Sequence, residues 1–382
     1  MAQKILIVDM THGGVEIALE FSKLHFKVYA WDIYHTLDKE QKKKLLNSKI
    51  ELVDEDFLEG DKPLIVAPVH CKLEYQVDMT HHQAVAHLME KRIDIPFIEI
   101  TGVKGKTSIV YMLKEIFKEK NPLILSSLGI EVMHQNQWKL LKRDVSITPA
   151  SIVTAWKLGR KYKPGIYIAE TSLGGTGLAQ VGILTNIAED YSIASGEKKA
   201  SMAKKQIFKN KFVVCEHQSL KKFYPQYTEN LNTFGLTEGN VKVNSVTYGL
   251  TETVMDIEVK RLKTNTGEVL TENFRIKTFA PAPHHAENVL SSICASLTFG
   301  VSINNIIAGL NNFHGLKGRS SLKILDNSVL IEEINPGINV TAVSRALDMV
   351  KDLPESVVIF GGQYGVTCEE IDEEKVANVL NR

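Results

Sequence analysis

The stretch FIEITGVKGKTSIVYML, residues 97–113, decides how this 382-residue chain is read. An apolar, strand-like run, PFIEI, leads into two glycines and ends in Gly105-Lys106-Thr107. The residues that follow place Ile109, Met112, Leu113, Ile116 and Phe117 on one face of a helix. Strand, glycine turn and helix start form the context in which backbone N–H groups face phosphate oxygens. Gly102 and Gly105 permit close approach, Lys106 supplies positive charge, and the Thr107 hydroxyl is placed to hold Mg²⁺. With Val103, Lys104 and Ser108 they make up the expected ATP-contacting loop. The common form, G-x-x-x-x-G-K-[ST], would put a glycine at position 100, where this chain has Ile100. The loop is shorter than that form, and Ile100 belongs to the strand before it.

The rest of the chain is consistent with a globular nucleotide-using protein. Apolar residues make up 44% and charged residues 24%, and 45 Lys and Arg balance 45 Asp and Glu. Zero formal charge argues against bulk electrostatic binding to nucleic acid or an anionic membrane. No apolar run approaches the roughly 20 residues of a membrane span. The opening MAQKILIVDM predicts a buried strand, not a signal peptide, because its apolar run stops at Asp9. Cys71, Cys215, Cys294 and Cys368 form no C-x-x-C pair, so neither structural zinc nor a disulfide framework is expected, and a reducing cytoplasm is.

Strands and helices alternate, which predicts an α/β fold with parallel sheets. Residues 1–92 read as a small Rossmann-like domain, with strands at KILIVDM, KVYAWD and LIVAPV and helices over residues 11–26 and 78–91. Thr11-His12-Gly13-Gly14 sits at its first strand-to-helix turn and Asp32 lies about twenty residues on, yet G-x-G-x-x-G is absent. An anionic ligand at that turn is an open expectation. Residues 93–315 read as a larger central domain. Within it, residues 231–280 alternate in the β manner, as an antiparallel insertion or edge with a turn at Asn265-Thr266-Gly267. Residues 316–382 read as a short strand–helix–strand unit ending in SVVIFGG.

The shortened T-G-x-x-G-K-[ST] loop resembles the ATP site of the Mur ligases and folylpolyglutamate synthases, three-domain enzymes that activate a carboxylate as an acyl phosphate. Further motifs follow in that family's order. IAETSLGG, residues 168–175, resembles the segment carrying the magnesium-binding carboxylate, here Glu170. TNIAEDYS, 185–192, resembles T-N-I-x-x-D-H, with Asp190 kept and Tyr191 in place of the histidine that holds a second metal. MAKKQIF, 202–208, resembles A-K-x-x-I-[FY]. By that resemblance Lys204 is carbamylated and holds a second divalent ion. HHAENVLSSICA, 284–295, resembles H-N-x-x-N-x-x-A-A, with Asn288 kept as an ATP contact and His285 replacing an asparagine. FHGLKGRSS, 313–321, resembles F-x-G-x-x-G-R and makes Arg319 a phosphate clamp. Asn335-Pro336 and IFGG, 359–362, complete the series.

The resemblance thus implies a three-domain Mur ligase architecture with a shortened C-terminal domain. ATP and Mg²⁺ are its cofactors. Lys106, Glu170, Lys204 and Arg319 are its catalytic residues, and Thr107, Glu170 and carbamylated Lys204 its metal ligands. Seven of the twelve histidines lie in the first 92 residues. The segments VDMTHGG, WDIYHTL, APVHCKLE and DMTHHQAV resemble an archaeal branch of the family that completes factor 430, the nickel tetrapyrrole of methanogenesis. ETSLGGTGLAQVGI and GGQYGVTCEEID resemble that branch as well. There a propionate of a nickel seco-tetrapyrrole is activated and closes a carbocyclic ring by C–C bond formation. His12, Gly13, His70, His81 and His82 are then the candidate substrate contacts, with the His81-His82 pair favoured. Two other readings remain open from sequence: an ATP-dependent carboxylate–amine ligase, and a nucleotide-binding regulator without catalysis. Oligomeric state is not legible.

Overall fold

The first strand, Gln3–Val8, carries Ile5, Leu6, Ile7 and Val8 in a row, all wholly buried. A continuous apolar run suits a parallel strand covered on both faces. In the computed structural model it is the middle of a five-stranded parallel sheet, in the order Glu51–Val53, Phe26–Trp31, Gln3–Val8, Leu64–Ala67, Met79–Thr80. The chain moves one way from the first strand and then returns to its other side. The gap between Gln3–Val8 and Leu64–Ala67 is therefore a topological switch point, where open α/β sheets take ligands. The structure describes residues 2–60, 62–317, 319–326, 328–333, 340–350, 355–359, 361 and 373–381.

The second sheet has eleven strands. Its parallel centre runs Leu231–Phe234, Phe212–Glu216, Val181–Leu184, Phe97–Thr101, Ile166–Glu170, Pro122–Ser126. Phe97–Thr101 lies between Val181–Leu184 and Ile166–Glu170, so the turn after it sits at a second switch point, flanked by the ends of both neighbours. The Gly129–His134 and Gln137–Arg143 hairpin, which the sequence did not announce, closes one edge. At the other edge Val241–Thr247 joins Leu231–Phe234 in parallel, and Thr253–Lys263 and Val269–Thr278 continue from it antiparallel, the edge expected for residues 231–280. Gly267, at φ +95, makes the turn expected there.

One apolar cluster crosses between the two sheets. Ile17, Phe21, Val85 and Leu88 from the first pack with Val153, Trp156 and Tyr167 from the second. Polar links reinforce it. Thr80 Oγ1 donates to Gln206 Oε1 at 2.8 Å, and Lys72 pairs with Glu197 at 2.7 Å.

Some elements differ from the sequence expectation. The helix expected over 11–26 occupies only Val15–Phe21. Before it, Asp9 accepts from the N–H groups of Thr11 and His12, and Gly13 at φ +100 breaks the winding. The helix expected over 78–91 is His81–Met89, held at its start by a Thr80–Gln83 capping box. Lys39–Asn47 is a further helix that was not expected. In the C-terminal unit, Ser320–Leu325 and Ser328–Glu333 pair antiparallel, and Val340–Val350 and Glu373–Leu380 are helices. Residues 356–359 carry no strand where SVVIFGG predicted one. Gly318, Asn335-Pro336, Phe360 and 362–372 lie outside the described residues.

Candidate active site

The strand Phe97–Thr101 is wholly buried and delivers the chain to a turn that only glycine can make. Gly102 has φ +144, and a Cβ there would lie 1.9 Å from Thr185 Oγ1. Gly105 has φ +87, and its Cβ would lie 2.1 Å from Asn288 Oδ1. The helix Lys106–Ile116 then starts with no side chain capping it. Its first N–H groups have no intrahelical acceptor, and the positive end of the helix dipole is bare. The N–H groups of Val103 and Lys104 are already bonded to Asn186, at 3.0 and 3.3 Å. The donors left for a phosphate are therefore those at the start of the helix, including Ser108 in its first turn. Lys106 Nζ lies back over the loop, donating to the carbonyls of Gly102 and Val103 at 3.1 and 3.4 Å. Burial lowers the pKa of Lys106, and nearby Glu170 opposes that shift.

Glu170 ends the neighbouring strand with no exposure at all. Its Oε1 accepts from the Ser127 N–H at 2.7 Å, and its buried Oε2 has no partner. An unpaired buried carboxylate oxygen is costly unless a cation joins it. Ser127 ties the site together. Its hydroxyl lies 3.2 Å from Thr107 Oγ1 and accepts from Arg319 Nη2 at 3.0 Å. Lys106, Thr107, Glu170 and Arg319, expected from three separate motifs, thus meet around one turn, with Asn288, from a fourth, against Gly105. Nothing singled out Ser127 in the sequence, where it is an ordinary serine after an apolar strand. Glu99 was also missed. Fully buried beneath the site, it accepts from the Thr176 and Gly177 N–H groups, from the Thr176 hydroxyl and from Asn210 Nδ2.

Lys204 is 1% exposed at the end of the helix Ala200–Lys204. Burial and the neighbouring Lys106 charge bring its pKa down to about 7. Asp190 accepts from the N–H and hydroxyl of Ser201 at 2.8 and 2.9 Å, so it fixes the short helix that presents Lys204. Tyr191 is 39% exposed, with burial raising its pKa, and stands as a neutral phenol. His285 is 5% exposed, its ring 3.9 Å from that of His284.

The five N-terminal candidates divide into two groups. His81 and His82 are buried, and burial lowers the pKa of each to about 4. His81 Nε2 donates to the Val8 carbonyl and His82 Nε2 to the Ser172 carbonyl, each at 2.9 Å. They hold the backbone beside Asp9 and beside Glu170. His12, Gly13 and His70 instead lie at the first switch point. His12 Nδ1 is 2.6 Å from Asp9 Oδ2, and His70 Nε2 is 3.3 Å from the same oxygen. A Cβ on Gly13 would lie 2.5 Å from Ala150 Cβ of the second sheet's layer, so this turn packs on the central domain. Asp9, missed in sequence because it read only as the end of an apolar run, is the group that organises both imidazoles.

Among the described residues, no helix is long and apolar enough to cross a membrane. Residues 322–382 match the model of the family described as coenzyme F430 synthetase CfbE, C-terminal domain. The short last unit is thus itself a known domain type. The chain is 27% identical to the coenzyme F(430) synthetase of Methanosarcina acetivorans, over 100% of this chain and 88% of that one. It is 28% identical to the coenzyme F(430) synthetase of Methanocaldococcus jannaschii, over 99% of this chain and 88% of that one. In fold it is similar to the MurF ligase of Thermotoga maritima in complex with ADP, at 14% identity and a TM-score of 0.54, over 92% of this chain and 75% of that one. The chain has the α/β fold of the Mur ligases and is similar, along its whole length, to two coenzyme F(430) synthetases.

Proposed function

We propose that this chain is an ATP-dependent cyclo-ligase. It activates a propionate carboxylate of a nickel seco-tetrapyrrole as an acyl phosphate and closes a carbocyclic ring, giving coenzyme F(430), ADP and phosphate. The observation that carries this reading is the convergence of Lys106, Thr107, Glu170 and Arg319 at an uncapped helix start, in a chain whose full-length relatives carry that synthetase's name. In this reading residues 1–92 serve as the substrate domain, 93–315 as the ATP domain and 316–382 as the unit that supplies Arg319.

In the first half-reaction a carboxylate oxygen bonds to the γ-phosphorus and the bond to the ADP oxygen breaks. Lys106 and Arg319 neutralise charge on the transferring group, and the helix N–H groups hold the phosphates of ADP. In the second, a carbon of the same substrate gives up its proton to a base, the resulting carbanion bonds to the acyl carbon, and phosphate leaves with the electron pair. Because nucleophile and electrophile share one molecule, orientation supplies much of the rate. The unpaired Glu170 oxygen and the Thr107 hydroxyl suit Mg²⁺, which supplies charge neutralisation to the phosphates.

Lys204 supports the finer reading of a carbamate and a second ion. A pKa near 7 leaves much of the amine neutral at physiological pH, the form that bonds to CO₂ with loss of a proton. The product replaces one of two neighbouring cations by an anion. Free, buried Cys71 and Cys215 and Cys294 suit a reducing cytoplasm.

The competing reading is a carboxylate–amine ligase, favoured by the shared fold with the MurF ligase. ADP release tests the two. The account expects release on addition of the nickel seco-tetrapyrrole acid alone; release only with amino-acid acceptors overturns it.

A further inference from the structure

Outside the ATP site, one cluster of donor groups converges. Asp9 follows the first strand and is wholly buried at φ +69. His12 lies in the turn after it, and His70 follows Leu64–Ala67, the strand on the other side of the switch point. Their facing atoms are close on all three edges. His12 Nδ1 to Asp9 Oδ2 is 2.6 Å, His70 Nε2 to Asp9 Oδ2 is 3.3 Å, and His70 Nε2 to His12 Nδ1 is 3.3 Å. Two donors bound to one ion at about 2.0–2.1 Å, at octahedral or tetrahedral angles, lie about 2.9–3.4 Å apart. Both 3.3 Å edges already meet that spacing, and the hydrogen-bonded edge has to open by roughly half an ångström. These atoms form a group that could hold one metal ion among the described residues.

We propose that Asp9, His12 and His70 form a divalent transition-metal site with at least one open coordination position. The open side follows from exposure: the His12 side chain is 44% and the His70 side chain 24% accessible, whereas Asp9 is closed off. The central domain comes close here, its Glu197 pairing with Lys72, two residues beyond His70. The donor set chooses the ion. Two imidazoles and one carboxylate suit Zn²⁺, Ni²⁺ or Co²⁺, and Mg²⁺ prefers the all-oxygen setting offered by Thr107 and Glu170. The molecule therefore has two cation sites of opposite preference, one at each switch point. The free position takes an anionic oxygen ligand such as a carboxylate. This inference does not depend on the identity of the reaction.

The test is titration of the untagged full-length protein with cobalt(II) chloride in excess Mg²⁺, followed by visible d–d absorption. One equivalent is expected to bind. His12→Ala and His70→Ala are each expected to weaken binding by at least ~10-fold, and Lys106→Ala to leave it unchanged. His12→Gln and His70→Gln, checked by circular dichroism and unfolding temperature in EDTA, serve where an alanine variant fails to fold. No cobalt binding in the wild type, or equal binding in the histidine variants, overturns the site.

Discussion

Two strand-to-helix turns of this chain occupy equivalent places, each after a buried parallel strand at a switch point, yet they have opposite electrical character. In the turn at 102–105, no side chain caps the helix that follows, and Lys106 adds a positive charge. In the turn at 9–14, the Asp9 carboxylate occupies the N–H groups of Thr11 and His12. The first is open to anions. The second already contains one, so its Thr11 and His12 N–H groups are taken up by the chain itself. Burial disfavours the charge on Asp9, but hydrogen bonds from His12 and His70 outweigh it and hold its carboxyl well below the usual range. The hydrogen bond that His12 donates to Asp9 in turn raises the pKa of His12. The lesson is that position in a sheet says where a ligand binds, and the residue at the strand's end says which charge it carries.

The largest effect is expected where the anion-binding turn loses its charge. Lys106→Ala should reduce ADP formation by on the order of 10³-fold without lowering the unfolding temperature, since a half-buried cation is removed. Retained turnover would remove the phosphate role. Next comes Lys204→Ala, expected to cost on the order of 100-fold and to regain part of it with added acetate or formate. Activity unchanged without them would exclude a metal-holding carbamate.

A smaller effect concerns the link between the two turns. His81 holds the carbonyl before Asp9, and His82 a carbonyl two residues past Glu170. Their pKa values fall from 6.5 to about 4 in the folded chain. Below pH 6.5 the unfolded chain binds these protons and the folded chain does not, so stability falls as pH drops from 6.5 toward 4. The loss is up to about 3 kcal/mol per ring. Urea unfolding across that window should show a shallower pH slope in His82→Gln. An identical slope would show that the ring does not titrate this way.

The turn at 102–105 was legible because its residues are local: strand, glycines, lysine and threonine fall within a dozen positions. Glu170 and Arg319 were legible through motif order. Ser127 and Glu99 were not, because a serine after a strand and a glutamate inside one acquire meaning only when distant segments close over them. The histidine-rich first domain gave residue types without partners. Among its candidate substrate contacts the sequence favoured the His81-His82 pair; the structure puts one nitrogen of each of those rings on a backbone carbonyl and brings His12 and His70 together around the unmarked Asp9.

The central claim is that the carboxylate activated at the first turn is captured by carbon within the same molecule. Mass spectrometry of the nickel seco-tetrapyrrole acid, incubated with enzyme, ATP and Mg²⁺ and no amine, tests it directly. The account predicts a product lighter by one water, formed with ADP and absent with Lys106→Ala. A tetrapyrrole of unchanged mass, or one that changes only by gaining an added amino acid, would contradict it.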